Sequence, residues 1–444
     1  MDSVKKSGLY FSMNSSSSVK KIALIGPYGF GNLGDAAIQD SMIQNVRKRC
    51  PNVEIYGISQ NPEDTFRRHG IPAFPISRMP RKADRNNRES VKELQPSKAF
   101  LQKVWNSVLF RKIEKVLVRF PIEIFLIFRS YKKMKGFNLL VVSGGGQLDD
   151  YWGGAWSHPY ALLKWSIISK LRKAKVVFVS VGAGPLDYAL SRRFIKYALS
   201  MAIYKSYRDE ESKRLVESIG VIHNNHVCPD LAYGIHFLDK KRPASPSNYN
   251  LVVGIGPMTY FHPRYWPEQN YAIYMKYLKK LALFTVWLIQ NGSKIVLFPG
   301  EAGADQVAMK DLKDILNATN TIMKHGQIIQ ETITTVNELI TSLSSVDLIV
   351  ASRFHGVLLA HVVCKPVLAI SYHQKIDSLM REVGHSDFCV DINQFDVEDL
   401  KHRFQRLHSN ADLLRSQIEK KTNEYRKSLD IQFDDIIKNS GILD

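Results

Sequence analysis

The stretch KIALIGPYGFGNLGDAAIQDSMIQNVRKRC, residues 21–50, followed at once by NVEIYGIS (52–59), decides the fold. KIALIG is a short apolar run closed by glycine, which is how a strand buried on both faces of a parallel sheet reads. Beyond the glycine loop, Ile38, Met42, Ile43 and Val46 share one face of a helix. Strand, glycine loop, helix and strand in that order open a parallel α/β sheet. The rhythm returns at FNLLVVSGGG (137–146), KVVFVSVGAGP (175–185) and IYKSYRDEES (203–212). After DKKRPASPSNYN (239–250), a charged stretch with two prolines that reads as a linker, it resumes at LVVGIGP (251–257), KIVLFPG (294–300), VDLIVASRFHG (346–356) and PVLAISY (366–372). The expected architecture is therefore α/β, with two Rossmann-like domains facing a central cleft. Residues 1–18 read as a disordered tail, 19–240 as the first domain, 241–395 as the second and 396–444 as a charged helical segment.

The 444 residues carry 61 Lys and Arg against 42 Asp and Glu, a formal charge of +19, which calls for an anionic partner: nucleic acid, a membrane surface or a phosphorylated small molecule. A hydrophobic content of 45% excludes a largely disordered chain. Cys50, Cys228, Cys364 and Cys389 are scattered without CxxC spacing, so no zinc ribbon or dithiol motif is read, and no cluster of metal ligands stands out. The opening residues lack the apolar core of a secretory signal, and no uncharged apolar run is long enough to span a bilayer. These features predict an intracellular, cytoplasmic protein. Much of the charge lies in one insert, residues 78–135, with 16 Lys and Arg against 5 acids. Its second part is basic, aromatic and amphipathic, with Pro121 placed to kink or divide it. It is expected to lie on an anionic membrane surface, at the inner face of the cell membrane; the plainer reading is a helix with a solvated basic face. No RNA- or DNA-binding pattern accompanies the charge, so nucleic acid is not expected as a partner.

In sheets of this kind ligands sit beyond the carboxyl ends of the strands. The loop after the first strand offers Gly29, Gly31, Asn32, Gly34 and Asp35, where glycines allow close backbone approach and a helix N-terminus attracts an anion. The SGGGQLDDYW turn offers Gly145, Gly146, Gln147 and Asp150, suited to the hydroxyls of a polyol. Arg208 stands just outside a helix whose first turn is acidic, at a positive helix end where a cation needs an anion to hold. Arg353 and His355 follow a strongly apolar strand and together suit anion binding and proton transfer. Lys375 lies on the same rim, whereas His361, on an apolar helix face, reads as a core histidine. The residues themselves lead to a transferase handling phosphate or carboxylate in a cleft rich in positive charge.

Taken in order, GPYGFGNLGDAAI, VVSGGG, SVGAGP, SYRDEES with Val227, Pro229 and Asp230 behind it, and SRFHGVLLAHVVCKPVLAISYHQKID resemble the polysaccharide pyruvyl transferase family, from about residue 20 to 385. The resemblance implies a GT-B-like fold and transfer of a pyruvyl group from phosphoenolpyruvate to a sugar of a polysaccharide or its lipid-linked precursor, with a ketal formed and phosphate released. It implies no cofactor beyond phosphoenolpyruvate as co-substrate. By motif match, Arg208, Arg353, Phe354 and Lys375 bind the donor, with His355 as general acid/base and Arg208 and Arg353 stabilising the leaving group. Phe354 replaces the family's usual leucine, and Ala36 stands where GDEA is common. The glycine loops of the first half are expected to bind the acceptor. A nucleotide-sugar glycosyltransferase on the same fold is the second reading, and a non-catalytic membrane- or nucleic-acid-binding protein the third.

Overall fold

The computed structural model describes residues 19–443 apart from 27, 30, 78–119, 152, 238–250, 267 and 320–325. The tail 1–18, the linker and most of the basic insert thus lie outside the described residues.

Thirteen strands among the described residues form two sheets, each entirely parallel. The first has the order β3-β2-β1-β4-β5-β6-β7, with β1 at Lys21–Ile25, β2 at Glu54–Ser59, β3 at Ala73–Pro75, β4 at Leu139–Ser143, β5 at Lys175–Val181, β6 at Tyr204–Tyr207 and β7 at Asn225–Val227. The second has the order β10-β9-β8-β11-β12-β13, with β8 at Leu251–Gly256, β9 at Ser293–Leu297, β10 at Ile328–Gln330, β11 at Leu348–Ala351, β12 at Val367–Ser371 and β13 at Cys389–Asp391. In both, the order reverses next to the first strand laid down, so β1/β4 and β8/β11 flank the crevice where α/β sheets bind ligands. The glycine-rich turns read from the sequence fall at carboxyl ends of strands, after β1, β4, β5, β8 and β9.

The first helix, Leu33–Arg49, buries Ile38, Met42, Ile43 and Val46, the stripe its spacing predicts. It belongs to an apolar core that continues from the first half into the second. A separate core fills the outer face of the first sheet, beneath the helices Phe120–Lys133, His158–Leu171 and Ala189–Ser200. Phe120–Lys133 is the described end of the basic insert, with Pro121 in its first turn; what precedes it lies outside the described residues. Among the described residues no helix is long and apolar enough to cross a membrane.

The chain does not end in the second half. Its last helix, Ala411–Ser440, returns across the first. Gln432 receives a hydrogen bond from Ser206 and gives one to Ser180, both in the first sheet. Arg49 pairs with Asp430 and Asp434, and Arg426 donates both to the Tyr233 carbonyl of the first half and to the Val362 carbonyl of the second. Beside it, His361, fully buried, meets the Tyr233 hydroxyl at 3.3 Å.

Candidate active site

The two halves touch through the loops that end β1 and β9. Leu33 N–H donates to the Gly300 carbonyl at 3.1 Å, and Ala302 N–H to the Gly31 carbonyl at 2.8 Å, so Asn32 and Glu301 face each other as an antiparallel bridge. Asn32 also caps the first helix, accepting from Gly34 and Asp35 N–H. This clasp brings the helix start of the first half under His355 of the second. A Cβ at Gly34 would stand 1.9 Å from both Cγ and Nδ1 of that ring. Only a glycine lets the imidazole lie on the backbone there. Gly34→Ala is expected to lower activity by about 10²-fold, because misplacing a catalytic group by about an ångström has that effect. Gly303→Ala is the control, since a Cβ there meets nothing within 4 Å. Steady-state kinetics of the two variants make the comparison; equal rates would remove His355's placement as the reason for Gly34.

Arg208 follows β6 and is 8% exposed. Its guanidinium lies against the backbone of Gly182, where a Cβ would come within 2.7 Å of Nε, and its Cζ sits 4.9 Å above the Phe354 ring. It meets Asp209 at 3.3 Å and Asp230 at 3.8 Å, and Asp209 caps the following helix through Ser212 N–H. The glycine of SVGAGP and the aromatic ring at 354 thus hold the guanidinium from two sides, a role the motif alone did not reveal. Phe354 meets the guanidinium through its ring.

Lys375 reaches across from the second half to the triple-glycine turn, close to Asp149; a Cβ at Gly146 would lie 4.0 Å from its Nζ and 3.5 Å from the Asp149 carboxylate. Burial and the neighbouring Arg208 pull the lysine down to about 8, opposed by Asp149 and Asp209. Burial pushes Asp149 up to about 6, with Lys375 opposing. Asp35 is pushed up to about 7 by burial and by the Asp230 and Glu301 carboxylates. His355 is lowered to about 4, by burial first and then by Arg208, Lys375 and Arg353 against the pull of Asp230, so its imidazole is neutral at pH 7.

Three buried polar atoms in this region have no hydrogen-bond partner: Arg208 Nη2, Asp230 Oδ2 and His355 Nε2. Buried polar groups are normally satisfied, so a donor, an acceptor and an imidazole nitrogen left open together make this the candidate ligand site. Arg208, Asp230, Phe354 and Lys375 line one pocket.

Other predicted residues are placed differently. Arg353 is turned to the second half's own acids, with Asp305 at 2.7 Å and Glu301 at 3.0 Å. Burial alone would lower it, but those carboxylates hold it charged. Gln147, fully buried, meets His158 at 2.7 Å, and Asp150, 3% exposed, accepts from Asp187 and Tyr188 N–H. Both brace the loop from inside, and Asp149 is the acid that faces Lys375. Gly29 packs on Asn61, where a Cβ would come within 2.6 Å, and Gly31 supplies the clasp carbonyl. A Cβ at Gly145 would lie 3.6 Å from Asp35. The cleft is therefore mixed in charge, with Asp35, Asp149, Asp230 and Glu301 among its cations.

Two parallel Rossmann-like sheets with a ligand site between their strand ends define the GT-B class of fold. Solved structures agree with this. UDP-GlcNAc 2-epimerase from Neisseria meningitidis, bound to UDP-GlcNAc, is 13% identical, with 94% of this chain and 100% of that one covered at a TM-score of 0.56. MnaA of S. aureus with UDP is 11% identical, with 95% and 96% covered at 0.56. The glycotransferase of kitacinnamycin is 9% identical, with 95% and 99% covered at 0.53. At these identities the likeness is one of fold. None of the curated proteins matches the sequence. The family profile for polysaccharide pyruvyl transferase matches residues 32–374, and the chain belongs to that family.

Proposed function

We propose that this chain moves a pyruvyl group from phosphoenolpyruvate to two hydroxyls of a sugar in a polysaccharide or its lipid-linked precursor, forming a cyclic ketal and releasing phosphate. The observation that carries the reading is the set of open atoms on Arg208, Asp230 and His355 beside Lys375. Two cations suit the donor's carboxylate and phosphate, and the guanidinium, already held by Gly182 and Phe354, is oriented in advance for charge-assisted hydrogen bonds.

His355 supplies the proton transfers. Its imidazole is neutral in the free protein, and the donor's negative charges raise its proton affinity once bound. As imidazolium it protonates the methylene carbon of phosphoenolpyruvate, which becomes a methyl group and leaves the adjacent carbon electrophilic. One sugar hydroxyl bonds to that carbon and gives its proton back to His355. The second hydroxyl then displaces phosphate: a carbon–oxygen bond forms, the bond to the phosphate oxygen breaks, and the hydroxyl proton leaves with the phosphate. Arg353, held on Asp305 and Glu301, acts in this scheme by positioning the helix start that carries Phe354 and His355.

The test is to incubate the protein with phosphoenolpyruvate or a UDP-sugar and candidate lipid-linked oligosaccharides, and to follow phosphate release and the mass of the acceptor. A pyruvyl-ketal mass gain that saturates with phosphoenolpyruvate is expected. Turnover of the UDP-sugar instead would overturn the reading in favour of glycosyl transfer. Arg208→Gln is expected to lower kcat/KM for phosphoenolpyruvate by about 10²–10³, the effect of losing one preorganised donor to developing charge. An unchanged value would remove Arg208 from the donor site.

A further inference from the structure

The helices Phe120–Lys133, His158–Leu171 and Ala189–Ser200 lie side by side over the outer face of the first sheet, the middle one touching both others. Their inner sides are ordinary core: Leu162, Trp165, Ile168, Ile195 and Leu199 are buried there. Their outer sides are unusual in two respects at once. Eight of the nineteen large apolar side chains exposed among the described residues lie on these helices or the turns leading into them, Phe125, Phe128, Leu171 and Trp156 among them at 55–69% exposure. The helices also hold eight lysines and arginines against one acid, Glu123, and that acid is already paired with the buried Lys164. Seven cations are left without an acid on the same helices. Isolated exposed apolar residues are common on soluble proteins, but a basic face interleaved with Phe, Ile, Leu, Trp and Tyr has the chemistry of a surface that enters the headgroup layer of an anionic bilayer.

The position of the apolar groups adds a second argument. In a parallel sheet the crossover helices run opposite to the strands, so their N-termini lie on the edge where the strands end and the site opens. Ile124 and Phe125 are in the first half of their helix and Phe128 is just past its middle, while Trp156 and Tyr188 lead into the other two. Trp156 packs on Tyr160 and Phe194, and Tyr188 stands over Gly154, at the foot of the triple-glycine turn. The aromatic end of the face is thus on the cleft side, where Trp and Tyr are favoured at a water–lipid boundary.

We propose that this three-helix face docks the protein on an anionic membrane, with the cleft edge against the headgroups. An acceptor carried on a lipid would then arrive at the cleft from the bilayer. That last clause rests on the proposed pyruvyl transfer; the docking does not, so either can fail alone.

The experiment is co-sedimentation of the full chain with phosphatidylcholine vesicles, with and without phosphatidylglycerol, at low and high salt. Binding is expected only with the anionic lipid and is expected to fall as salt rises. The triple variant Arg192→Glu, Arg193→Glu, Lys196→Glu, outside the 78–135 insert, is expected to weaken it by about a hundred-fold. Phe125→Ser with Phe128→Ser is expected to weaken it about ten-fold. All five positions are on the outer side of their helices, and unchanged melting curves would establish that the variants fold. Equal binding to both vesicle types, or anionic binding that survives both variants, would overturn the proposal. So would tighter binding to a duplex nucleic acid that the charge variant abolishes and the phenylalanine variant leaves intact.

Discussion

Replacing His355 by alanine is expected to lower phosphate release from phosphoenolpyruvate, measured with acceptor present, by about 10³-fold. A positioned acid/base contributes roughly 10²–10⁴ to a rate, and in the proposed reaction one group acts twice, giving a proton to carbon and taking one from oxygen. The loss should appear mainly in kcat, because in the proposed site Arg208 and Lys375 take the donor, and the substitution leaves both in place. The ring lies on the Gly34 backbone, so its removal leaves a small gap at the junction of the two halves, and a melting curve separates that effect from the catalytic one. Near-normal phosphate release would remove His355 from the chemistry.

Asp305→Ala is expected to produce the largest loss of stability. Asp305 is fully buried, accepts from Gly300 and Glu301 N–H, and meets Arg353 at Nε and Nη2. Removing one partner of a buried pair leaves the other charge uncompensated, at a cost of about 3–5 kcal/mol. Glu301 remains 3.0 Å from Arg353, so the lower figure, about 3 kcal/mol, is the one expected. For a domain of this size that lowers the melting temperature by about 6–12 °C. Asp305→Leu combined with Arg353→Met should regain only part of it, because the apolar pair leaves Glu301 without its cation and the Gly300 and Glu301 N–H groups without their acceptor. A single variant that melts within a degree or two of the unchanged protein would contradict the role given to this pair. The loop from Gly300 to Asp305 also supplies half of the clasp with Gly31–Leu33, so activity is expected to fall with stability.

Much of this was legible in the chain. Buried strands of a parallel sheet are largely apolar, and β1, β4, β5, β8 and β9 also run into glycine, which makes these readable together with β2, β6, β11 and β12. The edge strands β3, β10 and β13 are three residues each, too short for any period to register. The helix Val336–Ser344 has a signal in the sequence, since Thr335 and Glu338 form a capping box whose spacing is visible in TTVNE. In the candidate site, Arg208, His355 and Lys375 stand out in the sequence because they follow strand ends, where topology brings distant segments together. The acids could not be assigned. Asp149 and Asp150 are neighbours in an irregular turn, and no periodicity tells which faces the cleft and which braces the loop. Arg353 read as an open cation because its partner Asp305 is 48 residues away, on a loop whose approach depends on the fold of the whole second half.

The returning helix Ala411–Ser440 bears on how this enzyme can be taken apart. Gln432, Arg426, Asp430 and Asp434 make it part of the first half's structure although it follows the second half in sequence. A fragment ending at the linker would leave Ser180 and Ser206 without Gln432 and Arg49 without either aspartate. The halves are therefore not interchangeable cassettes: a chimera meant to exchange the first half between relatives would have to take both the N-terminal segment and the thirty residues of this helix from the same parent.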